Sequence, residues 1–165
     1  MSALIDNFKG LASPSHLLKL WSYLRAVPGG GVVLGRLVSR RAPYIGTIRP
    51  EIVELERGHA IVRMADRASV RNHLRSVHAI ALMNLGEAAT GLAMLVSLPH
   101  GARGIVTHLG MDYLKKARGP LTAECTCPKL NSAERKEYEA TGEVKNQSGE
   151  LVARITARWL IGPAS

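Results

Sequence analysis

Aromatic side chains are scarce: phenylalanine, tryptophan and tyrosine make up 4% of the 165 residues. A core built from this chain has to be mostly aliphatic. The basic stretches also lack aromatic neighbours, which argues against a stacking platform for single-stranded nucleic acid, so no nucleic-acid partner is expected. Cysteine is nearly absent. Cys125 and Cys127 are too few for a disulfide scaffold, and their C-x-C spacing suits a bridge poorly. No other Cys or His pair stands at zinc-finger spacing, and His100, His108 and Asp112 are too dispersed to argue a metal centre. The opening residues have no basic stretch followed by an apolar core, so no secretory signal is expected. The pair of reduced cysteines then points to the cytoplasm. Only Ala79 to Leu98 is long and apolar enough to be mistaken for a membrane span. Glu87 near its centre would cost about 2–3 kcal/mol on insertion, and Asn84 adds to that, so no transmembrane segment is expected.

What is present fits one globular domain. Apolar residues make up 46% of the chain, which excludes a disordered tail. The formal net charge of +9 and a pI near 10.1 favour polyanionic partners: nucleic acid, anionic lipid, or a phosphate-bearing ligand such as coenzyme A.

The apolar pattern lays out the elements. Residues 1–13 read as a loose lead-in. Ser13-Pro14 signals a helix start, and Leu17, Leu20, Trp21 and Leu24 then share one face. Pro28-Gly29-Gly30-Gly31 ends that helix and marks a hinge. A second short apolar segment, Val32 to Val38, leads to Arg36, Arg40 and Arg41. Tyr44 to Leu55 reads as a strand bent at Pro50 and paired as a hairpin with Ala60 to Met64. After a loop comes a helix from near Ala79, apolar almost all round, which must be enclosed. Four strands follow: Gly104 to Lys115, Leu121 to Cys127, Glu134 to Lys145, and a last strand with Leu151, Ala153, Ile155, Ala157 and Trp159 on one face. Short turns make these strands antiparallel neighbours. The simplest arrangement is a curved antiparallel sheet wrapped around the long helix, an α+β fold. Residues 1–43 form an N-terminal helical extension packed on a domain of residues 44–163.

One residue in the enclosed helix is out of place. From Ala79 to Val96 the only charge is Glu87, surrounded by Gly86, Ala88, Ala89 and Gly91. Asn72 stands six residues before His78, and Glu87 nine after it. This order resembles the signature of hotdog-fold acyl-coenzyme A thioesterases of the phenylacetate-degradation and hydroxybenzoyl-CoA types. There an Asn or Gln precedes an HGG motif and an acid follows the histidine by nine. The resemblance runs over roughly Tyr44 to Ile161. It implies a hotdog fold, an acyl-CoA or acyl-carrier-protein substrate, and a site shared between subunits. Two places depart from the pattern. Ala79 and Ile80 replace the two glycines, and Gly91 stands where a threonine or serine often follows the acid, with Thr90 one position early.

The chemistry can also be argued from the residues. A thioester carbonyl needs a donor that stabilises its developing oxyanion, and its attack needs a base or a nucleophile. A helix N-terminus, here at Ala79, offers unpaired N–H groups. Glu87, in an apolar setting, should have its pKa raised by desolvation, which suits a carboxylate that accepts a proton. The two lie eight residues apart, about 12 Å along one helix, so they cannot touch one carbonyl. Two helices packed antiparallel across a two-fold axis would bring Glu87 of one subunit to Ala79 of the other. The expected roles follow. Glu87 is base or nucleophile, the Ala79 N–H and the Asn72 side chain are donors, and His78 orients the helix start. Thr90 holds water or Glu87, Gly91 lines the substrate, and Lys115, Lys116 and Arg118 meet coenzyme A phosphates. The expected assembly is a homodimer or dimer of dimers, with no metal and no cofactor beyond the coenzyme A of the substrate. Two other readings compete: a non-hydrolytic binder of acyl-CoA or acyl-carrier protein, favoured by Ile80 and Gly91, and a basic module for nucleic acid or a membrane surface.

Overall fold

The computed structural model describes residues 13–164. The expected lead-in, apart from Ser13, and the expectation of no secretory signal fall on residues 1–12, outside the described residues. Helix α1 spans Pro14–Leu24, with extended Ser13 as its N-cap and Pro14 in the first turn, where a missing N–H does no harm. It buries Leu17 and Trp21. Helix α2 spans Gly30–Arg41 and ends on Arg40 and Arg41, the charge sign that suits a helix C-terminus.

The glycine triplet is less of a hinge than its composition suggests. Gly29 alone makes the turn, at φ 76°. Gly30 and Gly31 are already helical and serve close approach. A Cβ on Gly31 would fall 2.1 Å from the Ile52 carbonyl oxygen, and one on Gly35 would fall 1.9 Å from that of Pro50. Helix α2 therefore lies directly against the backbone of the first strand.

That strand, β1, is Glu51–Glu56 and not Tyr44–Leu55. Ile45–Ile48 forms a turn of 3-10 helix instead. Ile45 and Ile48 stand three apart, a spacing such a turn eclipses onto one side, and Ile48 is buried. Arg49 then adopts φ 49°, and pairing begins only after Pro50. Strand β2 is His59–Met64, and a loop leads to helix α3, Ala79–Leu95. The remaining strands are β3 Ala102–Tyr113, β4 Leu121–Thr126, β5 Lys136–Asn146 and β6 Leu151–Pro163.

The six strands form one antiparallel sheet in the order β1-β2-β4-β5-β6-β3. Strands β4, β5 and β6 are neighbours; a four-residue turn joins β5 to β6, and the longer connection 127–135 joins β4 to β5. Strand β3 is not a neighbour of β4. Helix α3 carries the chain from β2 to the far edge, where β3 pairs only with β6. The helix buries most of its circumference, including Leu82, Leu85, Ala88, Ala89, Leu92 and Ala93, and leaves the stripe Ile80, Met83, Glu87 and Gly91 incompletely covered. A Cβ on Gly86 would stand 2.7 Å from Ile155 Cδ1, so this glycine sets how closely the helix seats on β6. Inward residues of β6 include Ile155 and Ala157, while Arg154 and Arg158 face out. A curved antiparallel sheet around a central apolar helix, with a helical N-terminal extension, is the hotdog fold.

Candidate functional site

The start of α3 is built by the loop that precedes it. The Asn72 side-chain oxygen accepts from the Leu74 N–H (2.9 Å), the Ser76 N–H (3.2 Å) and the Ser76 hydroxyl (3.1 Å). It closes residues 72–76 into a compact loop, with Arg75 at φ 57°. Its oxygen is thus occupied, while its amide N–H groups make no hydrogen bond among the described residues. The loop is tied down further upstream. Asp66 pairs with Arg71 at 2.7 Å and accepts the Gly119 N–H at 2.9 Å. The Arg71 guanidinium, with help from that N–H, holds the Asp66 carboxyl below the usual carboxylate range.

His78 is the N-cap of α3, and its Nδ1 accepts the Ile80 N–H at 3.1 Å. An accepting Nδ1 carries no proton, so the neutral ring is protonated on Nε2. The Ala79 N–H is the first of the helix, in the turn where donors lack intrahelical partners. Its carbonyl accepts from the Tyr113 hydroxyl at 3.1 Å, which pins the helix start to β3. Asn72, Ala79, Leu82, Tyr113, Lys115 and Lys116 share the wall of a cleft of ≈ 360 Å³. Lys115 is ion-paired with Glu150, which leaves Lys116 as the cleft's open cation, and Arg118 is exposed beyond it.

Glu87 lies elsewhere. It lines a second cleft, of ≈ 420 Å³, with Ile80, Met83 and Asn84 from α3, Val106 and Leu109 from β3, and the segment Ala42–Ile45. Burial pushes its carboxyl up from the ordinary value of 4.5. No cationic side chain among the described residues stands at ion-pair distance from it. A buried acid neutralised by a sheet arginine, the structural alternative to a functional role, is not what the fold contains. A Cβ on Gly91 would lie 3.5 Å from Glu87 Oε1 and 3.4 Å from Trp159 Cη2, so Gly91 leaves the carboxylate and the indole in close company. Thr90 is fully buried and its hydroxyl donates to the Glu87 backbone carbonyl at 3.1 Å. It braces that turn of helix and does not reach the carboxylate.

One chain therefore brings together Asn72, Ala79 and Lys115 in one cleft and Glu87 with its neighbours in another. Asn84 lines the Glu87 cleft, a place the sequence reading did not give it. It is buried, and its amide nitrogen donates to the Tyr44 carbonyl (3.0 Å) and the Thr47 hydroxyl (3.1 Å). These bonds fix the 42–47 wall to α3 one turn before Glu87. The signal that exposed Glu87, a polar residue on an otherwise apolar helix, was equally present for Asn84. The Ala42–Ile45 wall itself had no comparable signal: by sequence Ala42 and Pro43 belong with the helical extension, and Tyr44 and Ile45 with the start of a strand.

Other clusters are less suited to chemistry. A depression of ≈ 590 Å³ on the outer face of the sheet is lined by Glu124, Glu143 and Arg154 among others, but holds none of the candidate residues. Glu54, Glu56 and His59 place three ligand-type atoms within 4.8 Å of one another, but His59 also contacts Glu124 at 3.0 Å. Cys125 and Cys127 are free and buried, and burial pushes the Cys125 thiol up to about 12.

Comparison with known proteins agrees with this architecture. The family described as "Domain of unknown function (DUF4442)" matches residues 30–161. No curated protein matches the chain. Among solved structures, the structural-genomics protein APC5556 is 27% identical, with a TM-score of 0.76 over 90% of this chain and 98% of its own. The thioesterase HI1161 of Haemophilus influenzae is 17% identical, with a TM-score of 0.69 over 79% and 88%. The phenylacetic acid degradation protein PaaI of Thermus thermophilus is 22% identical, with a TM-score of 0.62 over 72% and 97%. At such identities the last two share the fold of this chain. No helix among the described residues is long and apolar enough to cross a membrane.

Proposed function

Because the chain belongs to the DUF4442 family and has the fold of the hotdog thioesterases, we propose that it hydrolyses an acyl thioester of coenzyme A or of an acyl-carrier protein. The observation that carries this reading is Glu87: a half-buried carboxylate without a countercharge among the described residues, raised by desolvation, in an apolar cleft. A carboxylate so placed gains by taking a proton, as a general base on water does. Water adds its oxygen to the thioester carbon, the C–S bond breaks, and the thiolate leaves and is protonated. Glu87 can serve instead as the nucleophile, with water cleaving the resulting anhydride. The oxyanion meets N–H donors at the start of α3, where Ala79 and the Asn72 amide face a common cleft. Neither route calls for a metal or a bound cofactor.

Glu87 and Ala79 stand in different clefts of one chain, about 12 Å apart along α3. A second copy completes the site if its α3 runs antiparallel, so that each Glu87 meets the partner's helix start. Two features support this pairing. Strand β3 is an edge with one free side, and Ile105 on that strand and Ile80 on α3 are each exposed. Solvent is a poor match for that combination. Two sites per homodimer result, and dimers can pair further. Lys116 and Arg118 stand where coenzyme A phosphates can be met. The two free, buried cysteines suit a reducing cytoplasm.

A panel of short, long and aromatic acyl-CoAs, with free thiol as the readout, tests the proposal. Release of coenzyme A above the Glu87→Ala background supports it. Binding without thiol release selects the second reading, a non-hydrolytic acyl carrier, which Ile80 favours by filling space at the donor end of the helix, where it is 52% exposed.

A further inference from the structure

Charge is unevenly distributed along this chain. Between Ser13 and Pro50 stand six basic residues, Lys19, Arg25, Arg36, Arg40, Arg41 and Arg49, and no acidic one. This short extension accounts for two-thirds of the formal net charge of +9. The same segment exposes apolar side chains that the fold does not cover: Tyr23 (64% exposed), Val27 (55%), Val32 (38%) and Val33 (44%). All four fall within the end of α1, the connecting turn and the first turn of α2. The Gly30 N–H bonds the Val27 carbonyl at 2.9 Å, so the turn and the helix start are one compact tip.

Helical spacing extends that tip into a face. At 100° per residue, Val32, Arg36, Arg40 and Val33 fall within an arc of about 100° on α2. The opposite side cannot be exchanged for it. Leu34 is fully buried, and Gly35 lies too close to the Pro50 carbonyl for the helix to rotate. The outward face is therefore fixed, and its own residues mix apolar and cationic groups without any acid; Glu51 of β1, which borders Val32, is ion-paired with Arg63 at 2.7 Å.

We propose that this face of the α1–α2 extension docks the protein on an anionic lipid bilayer, as a peripheral attachment. Arginines match lipid phosphates, and the valines and Tyr23 reach the apolar layer just beneath them. A nucleic-acid backbone would satisfy the arginines but offers nothing to Val27, Val32 and Val33. The placement also bears on the cleft. Helix α2 ends at Arg40 and Arg41 and runs directly into Ala42–Ile45, the wall of the Glu87 cleft. Docking brings that wall beside the phase in which acyl chains concentrate. Docking does not depend on hydrolysis, and vesicle retention does not measure it.

The full chain is sedimented with vesicles of phosphatidylcholine alone and with vesicles that also contain phosphatidylglycerol. Retention on the mixed vesicles should exceed that on the neutral ones by about tenfold or more, and should fall with salt. The double variant Arg36→Glu/Arg40→Glu and the double variant Val32→Ser/Val33→Ser should each lower retention about tenfold. Unchanged thermal midpoints establish that both still fold. Arg154→Glu/Arg158→Glu, on the outer face of the sheet, makes the same change in net charge and should leave retention intact. Equal retention on both vesicles, or none, overturns the proposal. So does an equal loss in the sheet variant, which would reduce the effect to net charge. If the valine variant keeps full retention and the protein binds duplex DNA as tightly as vesicles, the face reads phosphate and not lipid, and the proposal falls.

Discussion

Replacing Glu87 by glutamine should move activity and stability in opposite directions. The amide keeps the shape of the side chain but can neither take a proton nor attack a carbonyl. Removal of a general base costs about 10²- to 10⁴-fold in rate, equivalent to roughly 3–5 kcal/mol of transition-state stabilisation. Stability should rise at neutral pH. Burial alone raises the Glu87 carboxyl, with no favourable charge among its causes, so the ionised form is a liability to the fold. Removing a partly desolvated, unpaired charge is worth on the order of 1 kcal/mol. The sign can be followed with pH. Below the carboxyl pKa of the unfolded chain, Glu87 is protonated in both states, and wild type and Glu87→Gln should be equally stable from this source. As pH rises, the unfolded chain loses its proton first, and the wild type weakens until pH passes the higher folded value. The gap between the two proteins should therefore open across that window and stay constant above it. Urea titrations at a series of pH values give the stability arm, and thiol release gives the rate. A Glu87→Gln protein less stable than wild type at pH 7, or as active, would refute the reasoning, because either result implies a partner or a role that the cleft does not contain.

Gly35→Ala should destabilise the protein although alanine is the better helix former. Propensity favours the change by about 1 kcal/mol, but a Cβ 1.9 Å from the Pro50 carbonyl oxygen forces α2 away from β1, at a net cost of about 1–3 kcal/mol by chemical denaturation. Asn84→Ala removes two hydrogen bonds from the 42–47 wall and should cost about 1–3 kcal/mol. If the wall shapes the acyl cleft, KM for apolar substrates should rise more than kcat falls. Cys125, with its thiol pushed up to about 12, should resist iodoacetamide at pH 8 in the native protein and react once it is unfolded; alkylation of the native protein would contradict its burial.

The sheet-forming half of the chain was legible because its signals are local. The alternation in Leu151 to Ile161 and the Asn146–Gly149 turn each name their own structure, and β5 and β6 pair as they require. The long helix was legible from length and uniform apolarity. What failed was adjacency at a distance. Nothing in Ala102–Tyr113 says that it pairs with β6 and not with β4, since pairing at an edge is decided by where α3 delivers the chain. The Tyr44–Leu55 segment failed for a related reason. Its isoleucines fit a strand or a 3-10 turn, and the choice fell to the packing of Ile48 and the left-handed Arg49. Gly30, Gly31 and Gly35 show the same limit: a glycine that permits a turn and one that admits a neighbouring backbone look alike until the neighbour is known.

The candidate site divides along the same line. Glu87 was visible because a charge in an apolar run is costly wherever the run is buried, so its oddity survives ignorance of the fold. Asn72 and His78 were visible only through their order relative to it, and the hydrogen bonds they make explain that order: one closes the loop and the other caps the helix, so both set the direction in which the Ala79 N–H points. The cleft wall at Ala42–Ile45 belongs to neither kind. Its side chains are unremarkable in type, and they matter because Asn84 ties their backbone to the helix that carries the acid. A buried amide one turn before a half-buried carboxylate thus ties the turn that follows α2 to the helix that carries the acid, and if the cleft takes an acyl group, changes in that turn should alter which groups fit before they alter the chemistry.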